Sequence, residues 1–395
     1  MSASDATLEI PLSLYVHWPW CVRKCPYCDF NSHALNSRSP EEAEGHYVEA
    51  LIQELTRQVA SFPVSGRAIS TVFIGGGTPS LMSPQSIDRL LRAVDERIGL
   101  SANAEVTLEA NPGTVERGKF EDFRAAGINR MSIGVQSFQD DKLKVLGRIH
   151  SGDEALQAIR LAAGAFDNFN LDFMFGLPNE TLAELTEEVK RAVGLGATHL
   201  SFYQLTIEEG TAFAKRLPAG LPDEDKLADM TDLVESMLAQ AGYEHYEVSG
   251  YARAGRRCQH NLNYWTYGDY LAIGAGAHAK LSARHRDGTL KVVRYANVAS
   301  PRLYLERMAT DGFAYAEHHE VDPTDRPFEF MLNALRLVDG VETASFAART
   351  GLSLAVVEPT VSRLRAEGLL VADPTRITPS ARGLRFLSTL QEAFL

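Results

Sequence analysis

The stretch YVHWPWCVRKCPYCDF, residues 15–30, holds three of the four cysteines of the chain and includes the end of a short apolar run. Cys21, Cys25 and Cys28 have the spacing C-x3-C-x2-C, so their thiolates can reach one metal centre. A [4Fe-4S] cluster held entirely by cysteine has four such ligands, and three leave one iron with an open position. The spacing therefore predicts an open [4Fe-4S] cluster that binds a second ligand.

A structural zinc site is the alternative for these three cysteines. Zinc sites of this kind use four ligands, commonly from two C-x2-C pairs, and the sequence has a single such pair. A disulfide framework is disfavoured as well, because four cysteines in 395 residues are too few and three of them are clustered. The cysteine usage favours a cluster in a reducing cytoplasm.

Length and charge narrow the class of protein. Since single cores stop growing near about 250–300 residues, a chain of 395 residues predicts a main domain with an appendage. The formal net charge of −12 disfavours nonspecific binding to nucleic acid. The first residues do not form a signal peptide, and apolar runs fall short of the ~18–20 residues of a membrane span. We expect a soluble, cytoplasmic protein.

The first half of the chain alternates β-branched runs with helical patterns, which gives six predicted strands. Alternating strands and helices indicate parallel βαβ units, so we predict an α/β fold with a partial (β/α)6-type barrel. The tail has the pattern of a winged-helix-like α/β domain. The predicted divisions are an N-terminal tail at 1–12, the barrel core at 13–210, a barrel extension on the substrate or heme side at 211–321, and the winged-helix-like domain at 322–395.

The tail also raises the possibility of a DNA-binding iron–sulfur regulator. From Asp322 to Leu395 the sequence has eight Arg, no Lys and nine Asp or Glu. Phosphate contacts normally require a basic face, so this near-neutral composition favours a lid or a docking domain instead. We expect no nucleic-acid partner.

Polar residues and glycines recur where the predicted strands end, and the functional residues of such barrels lie at that edge. Gly75-Gly76-Gly77-Thr78-Pro79 follows the second strand and would let the backbone approach a ligand closely. A tight turn without a ligand is the alternative for these glycines. Four polar residues are unremarkable singly, but one edge would collect them: Glu109, Gln136, Arg148 and Asp172.

The cysteine motif, with Tyr27 before its last cysteine, resembles that of radical S-adenosylmethionine (SAM) enzymes. In that superfamily the open iron binds the amino and carboxylate groups of SAM, and an electron from the cluster cleaves it. The resemblance implies Cys21, Cys25 and Cys28 as cluster ligands, Arg148 at the SAM carboxylate, Glu109 at its ammonium group, and Gln136 and Asp172 at its ribose. The implied SAM contacts are Tyr15, Tyr27, Gly76, Gly77, Thr78, Glu109, Gln136, Arg148 and Asp172.

Further motifs, among them FIGGGTPS, EANPG, LGRIH and HNLNYW, resemble the heme-chaperone branch of the oxygen-independent coproporphyrinogen III oxidase-like family. The likeness runs from about Ser13 to the C-terminus. It makes His260 a candidate heme ligand, although a histidine beside aromatic residues is usually a packing residue. The porphyrin-oxidising enzymes have a fourth cysteine two residues after the third, where this chain has Phe30.

The resemblance implies a heme-binding chaperone that transfers heme to respiratory acceptor proteins, with a [4Fe-4S] cluster, SAM and heme as bound groups. A flavodoxin- or ferredoxin-type protein would supply electrons, and we expect a monomer or weak dimer. The alternative is an oxygen-independent coproporphyrinogen III dehydrogenase. Whether the protein is an enzyme stays open at this point.

Overall fold

A twelve-stranded sheet runs through the computed structural model, which describes residues 10–35, 40–114, 118–285 and 287–395. The strands are β1 Leu12–Trp18, β2 Ile69–Gly76, β3 Leu100–Ala110, β4 Arg130–Gln136, β5 Phe169–Phe175, β6 His199–Gln204, β7 Glu244–Glu247, β8 Gly250–Ala252, β9 Asp269–Ile273, β10 His278–Arg284, β11 Leu290–Asn297 and β12 Tyr315–Glu320. Their order across the sheet is β12-β11-β10-β9-β1-β2-β3-β4-β5-β6-β8-β7. Most of the predicted N-terminal tail lies outside the described residues.

The middle of the sheet is parallel, from β9 through β1 and β2 to β6. Strands of such a parallel sheet are covered on both faces, and β1 and β5 are buried at six of their seven positions. The predicted α/β fold is therefore confirmed, and each of the six strands predicted in the first half of the chain corresponds to one of the strands β1 to β6. Strands β7, β8 and β10 to β12 are antiparallel additions, and every residue of β12 after Tyr315 is exposed.

Helices connect the strands and cover the sheet. They are α1 Pro40–Ser61, α2 Pro84–Arg97, α3 Lys119–Ala125, α4 Asp140–Val145, α5 Gly152–Ala165, α6 Leu182–Gly194, α7 Ala212–Lys215, α8 Glu224–Gln240, α9 Gln259–Trp265, α10 Pro301–Thr310, α11 Arg326–Ala334, α12 Thr343–Thr350, α13 Glu358–Ala366, α14 Ala381–Arg385 and α15 Leu387–Glu392. Capping boxes at Ser151 and Thr181 fix the starts of α5 and α6. No helix of the described residues is long and apolar enough to cross a membrane.

The C-terminal helices enclose a second hydrophobic core, separate from that of the large sheet. Phe330 of α11, Phe346 of α12 and Val361 of α13 are buried in it. The short strands Val341–Glu342 and Arg376–Ile377 pair antiparallel beside these helices. The division of the chain at residues 12, 210 and 321 stays a prediction.

Helix α9 carries the HNLNYW motif and lies between the two cores. At its start, His260 hydrogen-bonds Thr71 of β2. At its end, Leu262 and Trp265 pack against the second core. One short helix therefore contacts both the sheet and the C-terminal helices.

Candidate functional site

A cavity of about 280 Å3 lies where the parallel strands end. Its wall includes all three cysteines of the motif and eight of the nine predicted SAM contacts: Tyr27, Gly76, Gly77, Thr78, Glu109, Gln136, Arg148 and Asp172. The exception is Tyr15, which lines a second cavity next to this one. The fold thus brings residues from six separate segments of the chain to one place, as the strand-end rule predicts.

The cluster loop follows β1 and is closed by a short parallel pairing of Trp20–Cys21 with His33–Ala34. Cys21 is buried, whereas Cys25 and Cys28 are half-buried in the same cavity wall. Burial raises the pKa of the Cys21 and Cys28 thiols. No three His, Cys, Asp or Glu side chains converge on a single-ion position in the described part of the chain.

The glycine segment after β2 packs directly against the cluster loop. Backbone N–H groups of Gly77 and Thr78 donate to the carbonyls of Trp18 and Trp20, at 2.7 and 2.8 Å. A Cβ on Gly77 would lie 2.5 Å from the Trp20 carbonyl oxygen, and a Cβ on Gly76 would lie 2.7 Å from the His17 ring. These glycines therefore let two loops touch, and both segments face the cavity.

Two half-buried carboxylates, Glu109 and Asp172, line the same cavity as the cysteines. The Gly76 N–H donates to Glu109 Oε2 at 3.2 Å, and burial together with Asp172 raises the pKa of Glu109 to about 8. Asp172 accepts hydrogen bonds from Ser132 at 2.9 Å and from Asn170 at 2.8 Å, while burial raises its pKa. These carboxylates can accept hydrogen bonds from a cationic or hydroxyl-bearing ligand.

Arg148 reaches the cavity from the segment after α4. Its Nη2 donates to the Gly134 carbonyl at 2.6 Å, and its Nη1 lies 3.9 Å from the thiol of Cys25. Burial lowers its pKa, but Tyr27 and Cys25 outweigh burial and the net pKa is raised. Its buried Nε has no hydrogen-bond partner in the described residues. A permanent cation with an unpaired N–H beside a cluster loop fits a carboxylate ligand.

Gln136 ends β4 with a positive φ of 69°. Few residues other than glycine adopt this conformation, and those that do cluster at functional sites. Its Nε2 lies close to the backbone of Gly134, where a Cβ would be 3.0 Å away. The turned backbone directs the amide into the cavity wall that contains Arg148.

The floor of the cavity is a polar network that the sequence reasoning did not identify. His199 bonds Asn170 at 2.7 Å and Tyr246 at 2.8 Å, and Arg130 lies buried beside Glu105. Three of these side chains, Arg130 of β4, Asn170 of β5 and His199 of β6, line the cavity. On each strand the residue two positions later, Ser132, Asp172 or Ser201, lines it as well. A period-two pattern of polar residues inside buried strands was the signal available for them.

Cys258 also reaches this floor. It is buried, its thiol donates to Glu105 at 3.6 Å, and burial raises its pKa to about 12. The sequence predicts a buried small side chain here, not a cluster ligand.

His260, the candidate heme ligand, is 1% exposed and lines neither cavity. Its Nδ1 bonds Thr71 at 2.7 Å and its Nε2 bonds Tyr264 at 3.0 Å. Burial and Arg130 lower its pKa to about 3, and the ring stacks on Phe73. Both nitrogens are therefore occupied in this structure, so binding of iron would require breaking one of these bonds.

A second cavity, of about 620 Å3, adjoins the first. Phe30, Gly76 and Glu109 line both, so they form the wall between them. The second cavity is bounded by β1, β9 to β11 and the C-terminal helix α11. Its aromatic lining consists of Tyr15, Phe30, Tyr264, Trp265, Tyr267 and Tyr270.

Comparison with known proteins identifies this arrangement. The sequence matches the Radical SAM superfamily model over residues 15–192 and the HemN C-terminal domain model over residues 321–386. It is 47% identical over 388 residues to the protein named heme chaperone HemW from Escherichia coli, covering 98% of both chains. The chain belongs to the HemW family. A HemW relative from Bacillus subtilis is 35% identical and covers 91% of this chain and 92% of its own.

The fold of this HemW-family chain is also found in a solved structure. Coproporphyrinogen III oxidase (HemN) from Escherichia coli, described as a radical SAM enzyme, matches with a TM-score of 0.81 and 24% identity, over 98% of this chain and 90% of the other. Membership of the radical SAM superfamily implies a [4Fe-4S] cluster and SAM. The three thiols, the unpaired Arg148 Nε and the two half-buried carboxylates of the first cavity fit those groups.

Proposed function

We propose that this protein binds heme and transfers it to acceptor proteins of respiratory electron transfer. The observation that carries the proposal is identity of 47% across 98% of both chains to a relative named heme chaperone. The aromatic cavity of about 620 Å3 supports it, because ligand sites commonly have ~300–1,000 Å3 of largely apolar space. Aromatic side chains also suit the flat face of a porphyrin.

We further propose that the cluster and SAM occupy the smaller cavity and regulate or drive heme transfer. When bound, they would supply one-electron chemistry next to the heme cavity. Cys21, Cys25 and Cys28 would hold the cluster. Arg148 would orient the SAM carboxylate, Glu109 would accept from the amino group, and Gln136 and Asp172 would bind ribose. The backbone of Gly76 to Thr78, with Tyr15 and Tyr27, would complete the contacts.

The remaining partners are proposals from the same likeness. A flavodoxin- or ferredoxin-type protein would reduce the cluster, and the acceptor would dock near the opening of the larger cavity. The near-neutral C-terminal domain and the net charge of −12 support a role without nucleic acid. We expect a monomer or weak dimer in the cytoplasm.

The second candidate is an oxygen-independent coproporphyrinogen III dehydrogenase. The fold likeness to coproporphyrinogen III oxidase over 98% of this chain favours it. Phe30 disfavours this dehydrogenase activity, because the porphyrin-oxidising branch has a cysteine at that position. Phe30 is 59% exposed and stands in the wall shared by the two cavities.

Anaerobic reconstitution with iron and sulfide, followed by hemin titration, tests the two candidates. The chaperone proposal expects a cluster absorbance that Cys25→Ala abolishes, and saturable hemin binding. Bound zinc without iron or sulfide would refute the cluster. Conversion of coproporphyrinogen III to protoporphyrinogen IX, without hemin binding, would replace the chaperone by the enzyme.

A further inference from the structure

The second cavity contains one histidine that is available to a ligand. His278 is exposed, lies in the cavity wall, and makes no hydrogen bond with either ring nitrogen among the described residues. His17, the other histidine of this wall, bonds Tyr15 at 3.0 Å and the Asn31 carbonyl at 2.8 Å. An imidazole nitrogen with no partner is what an axial position of heme iron requires.

The backbone that carries His278 is fixed. The loop from Gly274 to Ala277 turns β9 into β10 with φ values of 106° at Gly274 and 74° at Gly276. The Gly274 N–H donates to buried Glu54 at 2.9 Å, and the Ala275 N–H donates to the hydroxyl of Tyr47 at 2.8 Å. A metal ligand held on an anchored loop loses little freedom when it binds.

The same loop touches the cluster loop. Asn31 Nδ2 donates to the Ala275 carbonyl at 2.9 Å, and a Cβ on Gly276 would lie 2.3 Å from that Nδ2. The turn is therefore packed against the segment that carries the three cysteines. His278 begins β10 at the edge where the parallel strands end, the same edge as the cysteines.

The aromatic lining of the cavity suits a flat, aromatic occupant. Helix α9 contributes Tyr264 and Trp265 to its wall, and Tyr267 follows two residues after the helix ends. Phe30 comes from the cluster loop. Aromatic faces pack well against planar rings. Because Phe30 also lines the smaller cavity, an occupant of the larger one would lie next to the proposed cluster and SAM site.

We infer that His278 is the axial ligand of heme iron and that heme lies in the 620 Å3 cavity, next to Phe30. This inference rests on the proposed heme binding and assigns it a site. His260 then has a different part: its bond to Tyr264 at 3.0 Å positions one aromatic wall of that cavity. His260 is thus a positioning residue for the heme ring, whereas His278 touches the iron.

The test is titration of the reconstituted, full-length protein with hemin and, separately, with metal-free protoporphyrin IX. Difference spectra are taken against the same cluster-loaded protein without porphyrin. His278→Ala should bind hemin at least about tenfold more weakly, since loss of groups that merely support a metal ligand already weakens metal affinity by ~10–100-fold. Its Soret band should shift, and its affinity for protoporphyrin IX should be unchanged.

His319→Ala is the matched control, because His319 is an exposed histidine on β12 outside both cavities. It should bind both porphyrins as the wild type does. His278→Asn provides a second variant with a polar side chain, in case Ala disturbs the start of β10; it should also lose hemin and keep protoporphyrin IX.

The outcomes separate the inference from the proposal on which it rests. Wild-type hemin affinity and an unshifted Soret band in His278→Ala and His278→Asn would overturn the inference and leave heme binding intact. Equal loss of both porphyrins in both variants would also overturn it, because packing and not iron ligation would then explain the effect. A wild-type protein that does not bind hemin would overturn the inference and the proposed function together.

Discussion

Arg148 allows a direct test of the SAM site, because one of its N–H groups is unpaired. Among the described residues its Nη2 is occupied by the Gly134 carbonyl and its Nη1 lies 3.9 Å from the Cys25 thiol, whereas its buried Nε lacks a partner. Arg148→Lys keeps a positive charge but cannot hold the Gly134 carbonyl and a ligand carboxylate with one planar group. The variant should therefore bind SAM more weakly while still holding the cluster.

The expected size follows from the number of contacts. A hydrogen bond to a charged group contributes ~1.5–3 kcal/mol. Loss of one such contact corresponds to about 10- to 150-fold weaker binding, since about 1.4 kcal/mol is a factor of ten. Equilibrium dialysis of SAM against the anaerobically reconstituted protein measures this directly. Iron and sulfide content should match the wild type.

Arg23→Lys is the matched control, because Arg23 lines the same cavity but is exposed on the cluster loop. It should change SAM affinity little. Unchanged SAM affinity in Arg148→Lys, with normal cluster content, would refute the assignment of Arg148 to the carboxylate. Loss of the cluster itself would show that Arg148 supports Cys25 instead.

Three further outcomes follow from other contacts. Asp269→Asn should lower the free energy of unfolding by about 3–5 kcal/mol in urea titration, because Asp269 is fully buried between Arg67 and Lys280. Asp88→Asn is the control and should have little effect, because Asp88 forms a solvent-accessible ion pair with Arg92. Gly77→Ala should reduce cluster retention and lower the free energy of unfolding by ~1–3 kcal/mol, because the added Cβ would clash with the Trp20 carbonyl. Gly164→Ala is the control and should leave both quantities unchanged, because Gly164 has open space around it. Normal iron content in Gly77→Ala would contradict this prediction. The raised pKa of about 8 keeps Glu109 protonated near pH 7, and a carboxylate accepts an N–H better when it is ionised. SAM affinity should therefore rise between pH 6 and 8 more steeply in the wild type than in Glu109→Gln. Equal slopes in equilibrium dialysis would exclude Glu109 as the acceptor.

The parallel half of the fold was predictable because its strands are short, mostly apolar runs separated by helical patterns. β1 and β5 show this clearly. β12 was not predictable in the same way, since five of its six residues are exposed and it reads as a polar loop. Strand β12 is held in the sheet by backbone hydrogen bonds to β11, and the pattern of side chains does not reveal such bonds.

The site was predictable to the extent that strand ends carry its residues. Cys21 to Cys28 follow β1, Glu109 lies near the end of β3 and Asp172 lies within β5, so the parallel topology brings them to one cavity. The sequence could not indicate that His260 is enclosed by Thr71 and Tyr264, because both partners depend on the seating of α9. Nor could it indicate that His278 makes no side-chain hydrogen bond to another described residue, since the turn before it depends on Glu54 and Tyr47.

Helix α9 joins two bodies of the molecule by its two ends. Its first turn is tied to Thr71 of β2, and its last residues are embedded in the core of the C-terminal helices. A rotation of the C-terminal helices away from the sheet would therefore pull on the His260–Thr71 bond or unseat Trp265. Because Trp265 both lines the larger cavity and packs against the C-terminal core, a movement of the C-terminal helices relative to the sheet would change the shape of that cavity.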